Sequence, residues 1–186
     1  MSGSATIIGA GSWGTALAIV LAPRFEHIRL WAHEPDLVER MLSARANDLF
    51  LPGFLLPPNV EPTADLVHAL ENAGIIVSVM PSRFARTLYR TMLPHLTPEM
   101  RFVSAIKGLE QGTLLRMSQV ACEVIGERFE PRIAVLSGPT FAREVARGDP
   151  TAVVIASEDQ DLAALIQRKF SGPTFRLYVN DDPAGV

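Results

Sequence analysis

The first residues along the chain whose types and spacing point to chemistry are Gly9, Gly11 and Gly14, in the run Gly9-Ala10-Gly11-Ser12-Trp13-Gly14. Each glycine meets a separate physical need. Gly9 permits a tight turn, Gly11 leaves the backbone bare where a pyrophosphate must come close, and Gly14 lets a helix pack against the preceding strand. The helix that opens there offers unpaired N–H groups and the positive end of its dipole. An apolar run, Ala5–Ile8, stands immediately before the glycines, and small and apolar residues from Thr15 to Ala22 follow. Strand, glycine turn and helix together predict a dinucleotide site.

In an open parallel sheet ligands sit beyond the carboxyl ends of the strands, so the residues after each apolar run carry the information. Ala32-His33-Glu34 follows the second run. An NAD site places an acid there for the ribose hydroxyls and an NADP site a basic group; this chain has both side by side. His33 is the candidate to lie over the adenosine ribose. Glu34 either binds ribose or simply begins the next helix, where negative charge is favourable, so NAD against NADP stays open. Pro81-Ser82 ends another run; Ser82 either lines the crevice or caps the following helix. Lys107-Gly108-Leu109-Glu110 ends the next. The Lys107 cation either holds a substrate phosphate or polarises a carbonyl; the bland alternative is a lysine that lays its stem on the surface and reaches solvent. Ser137-Gly138-Pro139-Thr140-Phe141-Ala142 makes a further turn into a helix. Its amides and hydroxyl point into the crevice, unless Thr140 serves only as an N-cap.

Positioning these groups requires alternating strands and helices. Strands are predicted at Ala5–Ile8, Ile28–Trp31, Ile75–Met80, Phe102–Ile106, Ile133–Leu136, Ala152–Ala156 and Phe175–Val179, with a weaker one near Val60–Thr63. Helices are predicted near Trp13–Leu21, Glu34–Ala44, Ala64–Asn72, Ser82–Met92, Thr113–Ile125, Phe141–Arg147 and Asp159–Phe170. Ser157-Glu158-Asp159-Gln160 has capping-box spacing before the last helix, and Pro94 and Pro98 stop any helix running past Met92. The strands are nearly continuous apolar runs, as in a sheet covered on both faces. The predicted fold class is therefore α/β, a Rossmann-type, doubly wound, mainly parallel sheet with helices on both faces. The segment 47–58, rich in Pro and Gly, is a long loop and a candidate substrate-side or lid element.

Composition narrows the remaining classes. The 186 residues are 48% hydrophobic and 20% charged, with 17 basic and 20 acidic side chains and a net charge of −3. Scattered Lys and Arg without a basic run argue against nucleic acid. The longest tight apolar strand is far too short to span a bilayer, and Met1-Ser2-Gly3-Ser4 is no signal peptide, so the compartment expected by default is the cytoplasm. One cysteine, Cys122, allows neither an internal disulfide nor a thiolate zinc site; on its apolar helical stripe it reads as a buried small hydrophobe. His27, His33, His68 and His95 lie far apart in the chain and share no metal-ligand spacing. No metal is expected.

With these runs in place, the chain resembles the bacterial NAD(P)-dependent glycerol-3-phosphate dehydrogenases. The resemblance is carried by Ile8 to Ala18, Leu30-Trp31-Ala32-His33, Phe50-Leu51-Pro52-Gly53, Lys107 to Glu110, Ser137 to Ala142 and Asn180-Asp181-Asp182. It implies reversible hydride transfer between NAD(P)H and dihydroxyacetone phosphate, giving sn-glycerol 3-phosphate for glycerophospholipid synthesis. Beside Gly9, Gly11 and Gly14 of the glycine turn, it places Ser12, Trp13, His33, Lys107 and Ala142 on the cofactor, and Lys107, Gly138 and Thr140 on the substrate. Lys107 is the catalytic residue it implies here; a second family lysine, the proton donor and acceptor, belongs to a helical C-terminal domain expected beyond Val186. The whole chain, 1–186, is thus expected to be the NAD(P)-binding domain of a longer protein, binding cofactor but turning over poorly, and the resemblance implies a homodimer for the full length. Two positions depart from the family: Ile106 stands where a small or hydroxylated residue is usual, and Phe50 where tyrosine is common. The competing readings are another two-domain hydroxyacid dehydrogenase and a non-catalytic NAD(H)-sensing module, which has no use for Lys107 at the crevice edge.

Overall fold

The structure, a computed structural model, describes residues 3–186. Eight strands form one sheet: β1 (Ser4–Ile8), β2 (His27–Trp31), β3 (Val60–Thr63), β4 (Ile75–Ser78), β5 (Arg101–Ser104), β6 (Arg132–Ser137), β7 (Thr151–Ala156) and β8 (Phe175–Asn180). Their order is β3-β2-β1-β4-β5-β6-β7-β8. The chain reverses its direction of travel across the sheet between β1 and β4, and the crevice between their carboxyl ends is where such sheets bind ligands. All pairs from β3 to β6 are parallel.

Helices cover both faces. On one face α1 (Ser12–Leu21), α2 (Pro35–Ala44), α6 (Ala142–Arg147) and α7 (Gln160–Phe170) bury Leu17, Met41, Val145 and Phe170 against Ile7 and Val77. On the other, α3 (Leu66–Leu70), α4 (Ser82–Met92) and α5 (Met117–Ile125) bury Leu70, Tyr89 and Val124 against Ile8 and Ile76. Successive strand residues thus enter opposite cores, which is why these strands read as unbroken apolar runs.

One pair runs against the parallel expectation: β6 and β7 are antiparallel, and β7 and β8 parallel. The reason lies in α6. Its six residues, closed by Gly148 in the left-handed region, rise only about 9 Å. A six-residue strand such as β6 is about 20 Å long. The chain therefore re-enters the sheet at the rim it left, running the other way.

Several boundaries also move. β4 and β5 end at Ser78 and Ser104, two residues before the predicted Met80 and Ile106, and the released residues line the cleft described below. α5 begins at Met117 and not at Thr113, because Leu114 takes φ +59° and Gly112 φ +91°, incompatible with a right-handed helix. The helix predicted at Ala64–Asn72 is cut to Leu66–Leu70, with the Asp65 carboxylate accepting from the Val67 and His68 amides. α7 is capped by Asp159, whose Oδ1 accepts from Leu162 N at 2.9 Å; Ser157 instead donates to Ile133 O across the sheet. α4 ends at Met92, as the prolines predict, and a turn of 3-10 helix at Leu93–His95 follows it. Cys122 is exposed on α5, not buried; its position on the helix lies beside the apolar stripe.

Candidate nucleotide and substrate cleft

The glycine turn has the geometry its spacing predicts. Gly9 sits at φ +119°, and a methyl there would stand 3.0 Å from the Met80 nitrogen and the Val79 carbonyl carbon. At Gly14 a methyl would lie 1.9 Å from the Gly9 carbonyl oxygen, so only glycine lets α1 approach this closely. Gly11 differs. Its backbone is ordinary extended chain, with φ −71° and ψ −174°, and a methyl there would meet nothing within 4 Å. Sterics inside the protein therefore do not demand glycine at position 11. No side chain caps α1, and its first turn holds no acid, so its first amides and the positive end of its dipole are left without a side-chain partner, the arrangement that suits an anion.

A residue that the sequence did not single out holds this turn. Asn47 is fully buried, and its Nδ2 donates to Ala10 O at 2.8 Å and Thr15 Oγ1 at 2.9 Å. Its Oδ1 accepts from Phe50 N at 3.1 Å. The Ala10 carbonyl is thereby held inward, away from the open side of the turn. Leu51 and Leu56 of the same loop enter the core. Through Asn47, Leu51 and Leu56, segment 47–58, expected as a substrate-side or lid element, is docked against the glycine turn and the core. Nothing in a loop of Pro, Gly and mixed residues marks which Asn will be buried.

Two adjoining clefts open on the carboxyl rim of the sheet, of about 490 and 390 Å³. They share Trp13, Ile106, Lys107 and Thr140. The smaller adds Ser12, Phe141 and Ala142; the larger adds Gly138, Ser137, Ser104 and Arg116. Turns separated by more than a hundred residues in the chain thus meet around one opening. Two cationic side chains, Lys107 and Arg116, and no Asp or Glu line the larger cleft among the described residues, which favours an anion there. Lys107 is exposed. A methyl at Gly138 would stand 3.0 Å from Val153 Cγ1 and 3.2 Å from Ala152 O, so glycine is needed where this turn passes β7. Residues Pro183, Ala184 and Val186 reach the larger cleft, in a turn where Asp182 Oδ1 accepts from Ala184 N and Gly185 N at 3.0 Å.

Of the other predicted residues, Thr140 lines both clefts, while Ser82, His33 and Glu34 line neither. Thr140 is not an N-cap; Phe141 occupies that position with no side-chain cap. Ser82 is the first residue of α4, after Pro81, and does not cap it; it lines neither cleft but lies against Gly108. His33 stands exposed at the end of β2, outside both clefts, tilted against Trp31 with ring centroids 6.1 Å apart. Glu34 is the N-cap residue of α2, with no side-chain cap bond. Arg116 was hidden in the predicted helix Thr113–Ile125, and became visible only once Leu114 turned the chain.

Away from the clefts, two histidines that are distant in sequence share one carboxylate. His27 Nε2 and His68 Nε2 lie 2.7 and 3.0 Å from the two oxygens of Glu61. The hydrogen bond to Glu61 raises the His68 pKa. Burial opposes ionisation of Glu61, but its bonds to His68 and His27 leave its pKa lowered. Among the described residues no cluster is arranged to hold a metal ion. The Cys122 thiol is pushed up by partial desolvation and then by Glu158, the opposite of what a nucleophile needs.

A sheet reversed at β1 and β4, a glycine turn opening α1 and an anion-attracting cleft on the same rim define a Rossmann-type dinucleotide-binding domain. Comparison with known proteins agrees and is more specific. Residues 4–163 match the family described as NAD-dependent glycerol-3-phosphate dehydrogenase N-terminus, and the chain belongs to that family. It is 55% identical over 181 residues to a glycerol-3-phosphate dehydrogenase [NAD(P)+] of Koribacter versatilis, covering 97% of this chain and 54% of that protein. It is 49% identical over 185 residues to the corresponding protein of Acidobacterium capsulatum. The crystal structure of glycerol-3-phosphate dehydrogenase from Coxiella burnetii superposes with a TM-score of 0.91 at 35% identity, covering 97% of this chain and 55% of that one. The chain therefore spans about half the length of the relatives it matches. Among the described residues no helix is long and apolar enough to cross a membrane.

Proposed function

We propose that residues 1–186 form the NAD(P)-binding domain of an oxidoreductase that transfers hydride reversibly between NAD(P)H and dihydroxyacetone phosphate, giving sn-glycerol 3-phosphate, a precursor of glycerophospholipids. The observation that carries this reading is the meeting of the Gly9–Gly14 turn, Lys107 and the Gly138–Ala142 turn around one opening. Room for the cofactor fits the same residues: the bare side of Gly11 faces open space, as a pyrophosphate requires. When bound, the nicotinamide supplies the hydride.

The chain's own residues bind and orient. The outward amides of the first turn of α1 take the pyrophosphate, Ser12, Trp13 and Ala142 flank the nicotinamide half, and His33 lies by the adenosine ribose. Lys107 holds the substrate and draws electron density from its carbonyl oxygen as the alcohol forms. Gly138 and Thr140 complete the substrate side. A helical domain in the second half of the family's length, supplying a proton-transferring lysine and further phosphate contacts, finishes the site; cytoplasmic residence and homodimerisation belong to the same proposal.

Calorimetric titration with NADH and NADPH, alone and with dihydroxyacetone phosphate, tests the reading. Saturable one-site binding of at least one nucleotide is expected, tightened by the phosphate substrate, with slow or no NADH oxidation by this chain alone. Absence of nucleotide binding, or oxidation at the rate of a complete enzyme, overturns it.

A further inference from the structure

We propose that Glu110 and Arg86 are positioning residues that fix where the Lys107 ammonium stands in the cleft, by locking the hairpin after Lys107 onto α4. This rests on the reading of the cleft given above.

The loop carrying Lys107 leaves the sheet at Ala105, whose N–H donates to Ser78 O at 2.9 Å. Among the described residues, the next N–H with a backbone partner is that of Glu110, onto Leu115 O at 2.9 Å. Ile106 still packs its side chain against the core, but the exposed Lys107 and Gly108 hang between the two anchors, and Gly108, at φ +96°, adds freedom to that span. The second anchor is a hairpin closed on itself: Leu109 pairs with Arg116, Leu114 N donates to Glu110 O at 3.0 Å and Thr113 Oγ1 donates to Glu110 Oε2 at 2.6 Å. Of its apolar side chains only Leu115 packs against the core; Leu109 and Leu114 are 50% and 73% exposed. At the end nearer Lys107 the tie to the body is Glu110. Arg86 Nε and Nη2 donate to Oε1 and Oε2 at 2.8 Å each, a two-pronged contact that fixes direction as well as distance. The Glu110 side chain is only 13% exposed. Arg86 comes from α4, which the buried Ala85, Tyr89 and Met92 seat firmly, and its other bond, to Glu123 on α5 at 2.7 Å, does not involve the Lys107 loop. The Arg86 bond, then that of Thr113, holds Glu110 down to about 2, so the contact persists at any working pH.

The chain has only two lysines, Lys107 and Lys169, which makes the test direct. Reductive dimethylation with ¹³C keeps the charge and gives each lysine its own NMR line, Lys169 on α7 serving as internal reference. In the wild-type protein NADH shifts the Lys107 line and not that of Lys169. Glu110→Gln is expected to displace and broaden the Lys107 line without ligand and to cut its NADH-induced shift by at least half, with Lys169 unmoved. Glu123→Gln, which breaks the other branch of the same network, is expected to leave Lys107 as in wild type. Arg86→Lys, charged but without the fork, gives an intermediate change and decides the matter if the Glu110 variant does not fold. A Lys107 line unaltered by Glu110→Gln, or altered equally by Glu123→Gln, overturns the proposal. A wild-type Lys107 line that ignores NADH counts against the cofactor reading, and the ligand-free comparison still decides the clamp.

Discussion

Replacing Gly11 by alanine separates a glycine kept for a ligand from one kept for the fold. The added methyl would enter open space at an ordinary extended backbone. Two small effects on stability oppose each other: about 0.4–1 kcal/mol gained by restricting the unfolded chain, and about the same lost because alanine is a poor N-cap. At about 2–4 °C per kcal/mol for a chain of this size, Tm should stay within about 3 °C of wild type. Nucleotide binding should not escape. The methyl keeps the pyrophosphate off one or two amides of α1, each charge-assisted bond being worth about 1.5–3 kcal/mol, so Kd for NADH should rise roughly 10- to 100-fold or more. Gly14→Ala is the counterpart. With its methyl 1.9 Å from a carbonyl oxygen, α1 must retreat by more than an ångström, an overpacking cost of about 1–3 kcal/mol or more, and Tm should fall. Thermal melts and calorimetry on both variants decide. A Gly11→Ala protein that binds NADH as tightly as wild type refutes the reasoning.

Asn47→Ala removes the side-chain amide that braces the Ala10 carbonyl and the Phe50 N–H; a loss of about 2–4 kcal/mol is expected, read as a lower Tm together with weaker NADH binding. Lys107→Ala, at an exposed position, should change stability by less than about 0.5 kcal/mol while abolishing the effect of dihydroxyacetone phosphate on NADH affinity. The His68–Glu61 contact has a defined pH signature. His68 is raised in the folded state, so its contribution is full below about pH 6.5 and disappears as pH rises through the higher folded value; Glu61 is lowered, so its share persists until pH falls through its depressed value. Melts of wild type against His68→Gln should diverge near pH 6 and converge by pH 9, by under about 1 kcal/mol for so exposed a pair; a constant difference across that range contradicts the assignment.

Most of what positions the cleft could be read from the residues. The glycine turn, the apolar strands and the residues ending them are local signals, and the structure brings Ser12, Trp13, Lys107, Gly138, Thr140 and Ala142 to one opening. Partners set by distant chain were not legible. The direction of β7 depends on how far six residues of α6 can travel, not on the apolar run of β7 itself. Leu114 looks like a helix residue until its left-handed backbone is seen, and Ser157 lost its capping role to Asp159 because a carbonyl on β6 was within reach. Asn47 and the His27–Glu61–His68 contact are long-range meetings of polar groups, for which no periodicity exists. Cys122 was misread because one helix stripe borders another by a single residue.

The most direct test of the central claim is a crystal structure of this chain with NADH. The account predicts pyrophosphate oxygens within hydrogen-bond distance of the amides that follow Gly11, and the nicotinamide beside Trp13 and Lys107. Cofactor density at any other part of the surface, with the Gly9–Gly14 turn left to solvent, contradicts it.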